Sequence, residues 1–183
     1  MHDGSSLSLR PELATERLLL RRPNEGDAPA IVRIAGDWEV ARRLARVPHP
    51  YGPADAALFL EHVVPTEWVW GITILGCPEL IGVVGLTPTE GDPIAELGYW
   101  LAREHWGKGI VTEAAQAVIR YGYEALSLIS IVAGFLQENP ASGRVLEKLG
   151  FVEIERATRP CLAAASDLPS VEMCLPSLDI PAR

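Results

Sequence analysis

Apolar residues recur along this chain at two spacings, and the switches between them mark the elements. Residues 1–12 follow neither spacing and read as a loose arm. "RLLLRR", 17–22, reads as a short strand. "EGDAPAIVRIAGD" follows as a helix entered near Gly26 and Asp27, and Trp38 to Ala45 continues helically. The proline-rich "VPHPYGP", 47–53, is a loop, after which "ADAALFLEHVV" carries Ala57, Leu60 and Val64 at helical spacing. Then the period shortens. "EWVWGITIL" and "ELIGVVGLTP" are β-like runs joined through "GCP" as a hairpin, and "IAELGYWLA", 94–102, is a third.

A helix from Ile110 to Leu126 sets Val111, Ala115, Val118 and Ile119 on one side. "LISIVAGFL" reads as a strand buried on both faces. "PASGRVLEKLG" is a short helix with Pro140 in its first turn and Gly150 as its stop. "FVEIERA" and a strand near "DLPSVEMCL" finish the fold, and 177–183 read as a loose tail. The order β-α-α-β-β-β-α-β-α-β-β describes one mixed α/β domain over 13–176, with no repeat and no linker.

Charge narrows the partners. Among 183 residues, 24 are acidic and 16 are Lys or Arg, a net charge of −8. That balance speaks against a general binder of nucleic acid or of anionic membranes, while leaving room for a local basic patch. The longest apolar run, "WVWGITILG", is too short to span a bilayer. The opening "MHDGSSLSLRPELATERLLL" lacks a basic stretch leading into an apolar one, so it does not read as a signal peptide. Cys77, Cys161 and Cys174 are widely spaced, which argues against a zinc ribbon or disulfide framework. There is no H-E-x-x-H or G-x-S-x-G. The expectation is a cytoplasmic protein without a metal.

The chemistry centres on "REHWGKGIVTEA". A Walker A loop fails here, because Ala102 stands at the first glycine position and Gly109, not a hydroxyl residue, follows Lys108. A dinucleotide fingerprint fails at Thr112, which stands at the third glycine position. The physics that both motifs share survives. Small residues let backbone approach an anion, and a helix start turns free N–H groups toward it. A glycine-rich turn without a ligand is the plainer alternative.

"AELGYWLAREHWGKGIVTEA", followed by "ENPASGRVLEKLGF" and preceded by "TERLLLRRPNEGDA", resembles the GNAT superfamily of acyl-CoA-dependent N-acetyltransferases. The likeness covers roughly residues 14–156 and is greatest to the ribosomal-protein N-terminal acetyltransferase branch. The family writes its pyrophosphate loop [RQ]-x-x-G-x-[GA]. Here Trp106, Gly107, Lys108, Gly109, Ile110 and Val111 stand in it, with Trp and Val departing at the two ends. The resemblance implies that backbone N–H groups from Trp106 through Thr112 hold the phosphates of acetyl-CoA. It implies a mixed twisted sheet of about seven strands flanked by helices, splayed between the strands at 94–101 and 129–135. The pantetheine arm would enter that splay and pair near Tyr99 and Leu101. The Leu101 N–H would polarise the thioester carbonyl, and Asn139 would contact the arm.

The same resemblance implies the catalytic groups. Transfer to an amine needs a proton acceptor, and Glu96, the one carboxylate inside "IAELGYWLA", matches a position where many relatives carry a functional glutamate. Alternation places it with Gly98 and Trp100, while Leu97, Tyr99 and Leu101 face the other way. A carboxylate in a central strand is costly unless paired, solvated or working, so a rim carboxylate or structural partner is the other reading. Leu146 sits where many relatives use a tyrosine to protonate the leaving thiolate. Ser142, spaced from Asn139 as N-x-x-S, takes that role by resemblance, with a helix-capping serine as its rival. The expected protein is an acetyl-CoA-dependent N-acetyltransferase acting on a primary amine, either a protein N-terminus or a small molecule. A non-catalytic acyl-CoA sensor or scaffold on the same fold is the alternative. The family also suggests a homodimer.

Overall fold

Alternation builds the sheet, and the computed structural model, which describes residues 10–176, has eight strands in the order β1-β2-β3-β4-β5-β6-β8-β7. The arm over 1–9 and the tail over 177–183 lie outside the described residues. The strands are β1 (Leu13–Ala14), β2 (Leu18–Arg21), β3 (Trp68–Ile74), β4 (Leu80–Pro88), β5 (Ile94–Leu101), β6 (Ser130–Leu136), β7 (Val152–Cys161) and β8 (Ser166–Pro176). All neighbours are antiparallel except β5 and β6. The helices are α1 (Ala28–Ala35), α2 (Trp38–Ala41), α3 (Pro53–Leu58), α4 (Val64–Thr66), α5 (Ile110–Glu124) and α6 (Pro140–Lys148). Among the described residues, no helix is long and apolar enough to cross a membrane.

Each face of the sheet buries its own core. Val84, Leu86, Leu97 and Ile131 pack with Ala114, Ala115 and Val118 of α5 and Leu146 of α6. On the other face Val69 and Val83 pack with Ile31, Ile34, Val40, Ala56 and Val64. Val83 and Val84 are neighbours in sequence but belong to different cores, as a strand's two-residue period requires. Burying each such side chain contributes roughly 1.5–3 kcal/mol.

Four details depart from the sequence reading. An eighth strand, β1, pairs with β2 through Leu13↔Leu20 and Ala14↔Leu19. Helix α2 stops at Ala41 rather than Ala45, where the backbone tightens: Arg43 N donates to the Val40 carbonyl at 3.1 Å and Leu44 N to the Ala41 carbonyl at 3.0 Å, each three residues back. A π-helical turn, Phe59–Val63, separates α3 from α4 and shifts the phase, so Ala56 is buried and Ala57 is exposed. Finally, β6 is not covered on both faces: Ile131 and Ala133 are buried, whereas Val132 and Gly134 are only half-buried. Gly134 borders the open cavity described below. At the chain's start, Arg10 Nη1 donates to the Val69 carbonyl at 2.9 Å, and Trp70 Nε1 donates to the Pro11 carbonyl at 2.9 Å.

Candidate active site

A parallel pair that parts company makes the site. β5 and β6 pair only at Ile94↔Ser130, Ala95↔Ile131 and Glu96↔Val132, although β5 runs on to Leu101 and β6 to Leu136. Beyond Glu96 the strands splay, at the place the family resemblance implies. The hydrogen-bond phase of β5 follows from one contact. Ala102 N donates to Ile81 O at 2.9 Å, and the register is unbroken from Gly82↔Leu101 to Pro88↔Ala95. In an antiparallel ladder, bonded and non-bonded pairs alternate. Trp100, Gly98 and Glu96 therefore bond to β4, while Leu101, Tyr99 and Leu97 turn their peptide groups to the side that β6 has left. The Leu101 carbonyl is taken by Trp106 Nε1 at 2.8 Å, and its N–H faces the gap. At Gly98 no atom lies within 4 Å of where a Cβ would be. The gap opens into a cavity of about 760 Å3.

The glycine loop follows the end of β5 and lies outside that cavity; Gly109 and Thr112 border a second cleft with Gln116, Arg120 and Lys148. Gly107 and Gly109 have φ of 72° and 75°, the left-handed region in which a side chain is strained. Gly109 caps α5, whose first turn presents N–H groups and the positive end of the helix dipole. Lys108 is exposed, Ile110 is buried, and Val111 and Thr112 are half-buried. Two arginines absent from the sequence reading brace the loop. Arg17 donates to the Lys108 carbonyl at 3.1 Å and to Glu113 Oε2 at 2.7 Å from Nε. Arg43 lies over the Trp106 ring, 5.2 Å from its centroid. Burial raises the Glu113 carboxyl, but hydrogen bonds from Thr15 and Arg17 outweigh it and hold the group below the usual range.

On the α5–α6 side of the sheet, Tyr99 and Ser142 meet. The two hydroxyl oxygens are 2.8 Å apart, and the phenol also reaches the Ser142 carbonyl at 3.3 Å. Burial pushes the Tyr99 phenol up to about 12, with the Ser142 hydrogen bond lowering it in part. Asn139 is the cap of α6, its Oδ1 accepting from Ser142 N at 3.4 Å. Both residues line the cavity. The sequence reading had Tyr99 contribute backbone; its side chain contact with Ser142 carried no local signal, because the two residues are 43 positions apart.

On the opposite face a polar row crosses the sheet. Glu96 stands beside Thr87 of β4. Thr87 Oγ1 donates to Glu67 Oε2 at 2.7 Å and accepts from Arg46 Nη2 at 3.0 Å. Arg46 Nη1 donates to Glu67 Oε1 at 2.8 Å. At the other end, the Glu96 carboxylate pairs with Arg159, which also holds Glu172. The Arg159 side chain hydrogen bond holds the Glu172 carboxyl below the usual range. The Glu96 side chain keeps 39% of its surface exposed, so it is held without being sealed in. Glu96 and Ser142 therefore stand on opposite faces of the sheet, with the unpaired edge of β5 between them.

The edge at Leu97, Tyr99 and Leu101 can take a flexible arm as an added strand, and the loop from Trp106 to Thr112 can take phosphates. Both features fit the CoA ester of an acyl group. Comparison with known proteins agrees. Residues 17–152 match the family model for the acetyltransferase (GNAT) domain. An uncharacterized N-acetyltransferase of Bacillus subtilis, YoaA, is 34% identical over 149 residues, covering 77% of this chain and 82% of that one. The Escherichia coli N-acetyltransferase of a ribosomal protein uS5 alanine is 26% identical over 158 residues, covering 76% and 77%. A GNAT-family acetyltransferase structure from Bacillus anthracis superposes with a TM-score of 0.81 at 22% identity, covering 91% of this chain and 98% of that one. The chain belongs to the GNAT acetyltransferase family. It is an N-acetyltransferase that uses acetyl-CoA.

Proposed function

We propose that this enzyme acetylates the α-amino group of a protein or peptide N-terminus, with Glu96 as proton acceptor and Ser142 as proton donor. The observation that carries the proposal is their placement on opposite faces of the β5 edge. The acetyl thioester of CoA supplies the activated acyl group. Leu101 N–H, facing the gap, is set to polarise its carbonyl. An amine arriving on the Glu96 face gives up its proton there, while Ser142 on the far face offers one to the departing sulfur. No acyl-enzyme is required.

An α-amino group suits this arrangement. Its ordinary pKa, about 7.7–8.0, leaves part of it neutral near pH 7, whereas a lysine at about 10.4 needs far more help. The wall of the cavity supports the same choice. Leu44, Val47, Leu58, Phe59 and Trp100 make it apolar, and Glu67 and Glu96 are paired with arginines rather than free for a polycation. The likeness to the uS5-alanine enzyme points the same way. As the serine's own proton passes to the sulfur, the Tyr99 hydroxyl, which burial keeps protonated and which lies 2.8 Å from Ser142 Oγ, replaces it, and solvent resets Tyr99 and Glu96. Asn139 fixes the turn that presents Ser142. The homodimer suggested by family resemblance and the cytoplasmic setting expected from the sequence belong to this proposal, and sedimentation and cell fractionation test them.

The test is a set of initial rates with acetyl-CoA and three acceptors: a peptide with a free N-terminus, the same peptide N-terminally blocked but carrying a lysine, and a polyamine. The first should be preferred, and Glu96→Gln should lower its kcat about 100-fold. Equal or faster turnover of the polyamine would overturn the acceptor assignment. Undiminished kcat in Glu96→Gln would overturn the assignment of the base.

A further inference from the structure

Arg159 reaches across three strands. It stands on β7 opposite Leu168 of β8, and its Nε donates to Glu172 Oε1 at 2.7 Å while Nη2 pairs with the other oxygen of the same carboxylate. Glu172 is itself braced by Ser170 Oγ at 2.9 Å, a serine with no exposed surface. The remaining arm, Nη1, pairs with Glu96 Oε1 on β5. Between these strands runs β6, and the guanidinium crosses it at Gly134, the register partner of Glu172. A Cβ at residue 134 would lie 2.3 Å from Arg159 Cζ and 2.4 Å from its Nε and Nη2. The guanidinium thus lies against the β6 backbone at Gly134, and any side chain at that position would have to push it aside.

We propose that Arg159 is a positioning residue for the proton acceptor, a role that rests on the assignment of Glu96 above. Glu96 stands where pairing with β6 ends, so no further β6 partner limits its side chain beyond that point. Arg159 replaces that support. Its planar fork is locked on one side by the two bonds to Glu172, and it presents its third donor group to one Glu96 oxygen. The second oxygen is left to meet the amine. The same contact ties β5 to the group β6, β8 and β7, the two arms of the splay. A misplacement of about 1 Å in such a site costs on the order of 100-fold in rate. Gly134 is part of the device, since it makes the crossing possible without touching either carboxylate.

Kinetics of the 183-residue chain decide this. Arg159→Met and Gly134→Ala should each lower kcat about tenfold or more, with KM for acetyl-CoA within about twofold of the parent. Arg159→Lys should fall between Arg159→Met and the parent, since it keeps the charge and loses the fork. Arg159→Met added to Glu96→Gln should cost nothing further, because the arginine acts through the carboxylate. A kcat within about twofold of the parent in Gly134→Ala and Arg159→Met, or losses that multiply in the double variant, would overturn the role of Arg159 alone. Full activity in Glu96→Gln would overturn the assignment of the base, and this role with it. If Arg159→Met lowers the melting temperature sharply, Gly134→Ala and Arg159→Lys carry the comparison, as both retain a cation at the site.

Discussion

The two ends of the active site are built from different material. The end proposed for the cofactor is backbone: the left-handed Gly107 and Gly109, the first turn of α5 and the unpaired edge of β5. The proposed acceptor end is side chains: Arg46, Glu67, Thr87, Glu96, Arg159 and Glu172, drawn from six separate strands or loops. A backbone site needs only that a short contiguous stretch adopt one conformation. A side-chain site needs distant segments to arrive in register, and its charges must be paired because they sit at the edge of a core. The first tolerates changes in side chain and resists changes in φ; the second does the reverse.

The strongest way to break that contrast is to strain the backbone end. Gly109→Val forces a β-branched residue into the left-handed region, a cost of roughly 1–2 kcal/mol. KM for acetyl-CoA should rise about tenfold or more while kcat changes little. In the parent, acetyl-CoA at about 100 times its Kd should stabilise the fold by about 2.7 kcal/mol. That corresponds to a rise in Tm of roughly 5–11 °C, which the variant should lose. Lys108→Ala in the same loop should hardly matter, since Lys108 engages Arg17 through its carbonyl and its side chain is exposed.

A smaller effect sharpens the contrast on the α6 side. Ser142→Ala should lower kcat about tenfold and Tyr99→Phe about threefold, with the double variant close to Ser142→Ala alone. Multiplying losses would mean that the phenol acts independently of the serine.

The smallest effect probes the acceptor-side ion pairs through stability. Glu172 has its carboxyl held below the ordinary range by Arg159, so it contributes stability above the ordinary carboxylate pKa and loses it as pH falls through its folded value. The parent should therefore melt higher than Glu172→Gln at pH 7. The pair is partly exposed and screened, so the difference should be about 1 kcal/mol or less, roughly 2–4 °C. The gap should close as the pH is taken below about 4. A gap that persists in acid would assign the stabilisation to packing, not charge.

The legibility of the chain follows the same division. The hairpin of β3 and β4, the strand β5 and the helix α5 could be read from spacing alone, because a half-buried strand or helix writes its period into its apolar residues. The glycine loop could be read because positive φ demands glycine. The π-turn at Phe59–Val63 could not, since one extra residue in a turn changes the phase without changing composition. Nor could the half-open face of β6, whose apolar run looks like that of a strand covered on both sides. Glu96 was visible as an odd carboxylate in an apolar strand, but Arg159, 63 positions later in the last hairpin, was not.

By itself, then, the sequence determined the order of the main elements, the mixed α/β class, the place of the glycine loop and the strand that carries Glu96. Each of these depends on residues adjacent or nearly so, where local sterics and periodic burial act. Only the tertiary structure decided that β5 and β6 part after Glu96, that Tyr99 meets Ser142, and that Arg159 crosses Gly134 to reach Glu96. Those depend on which strand becomes whose neighbour. A single chain records that choice in no one segment, because long-range pairing is settled by the burial of the whole sheet at once.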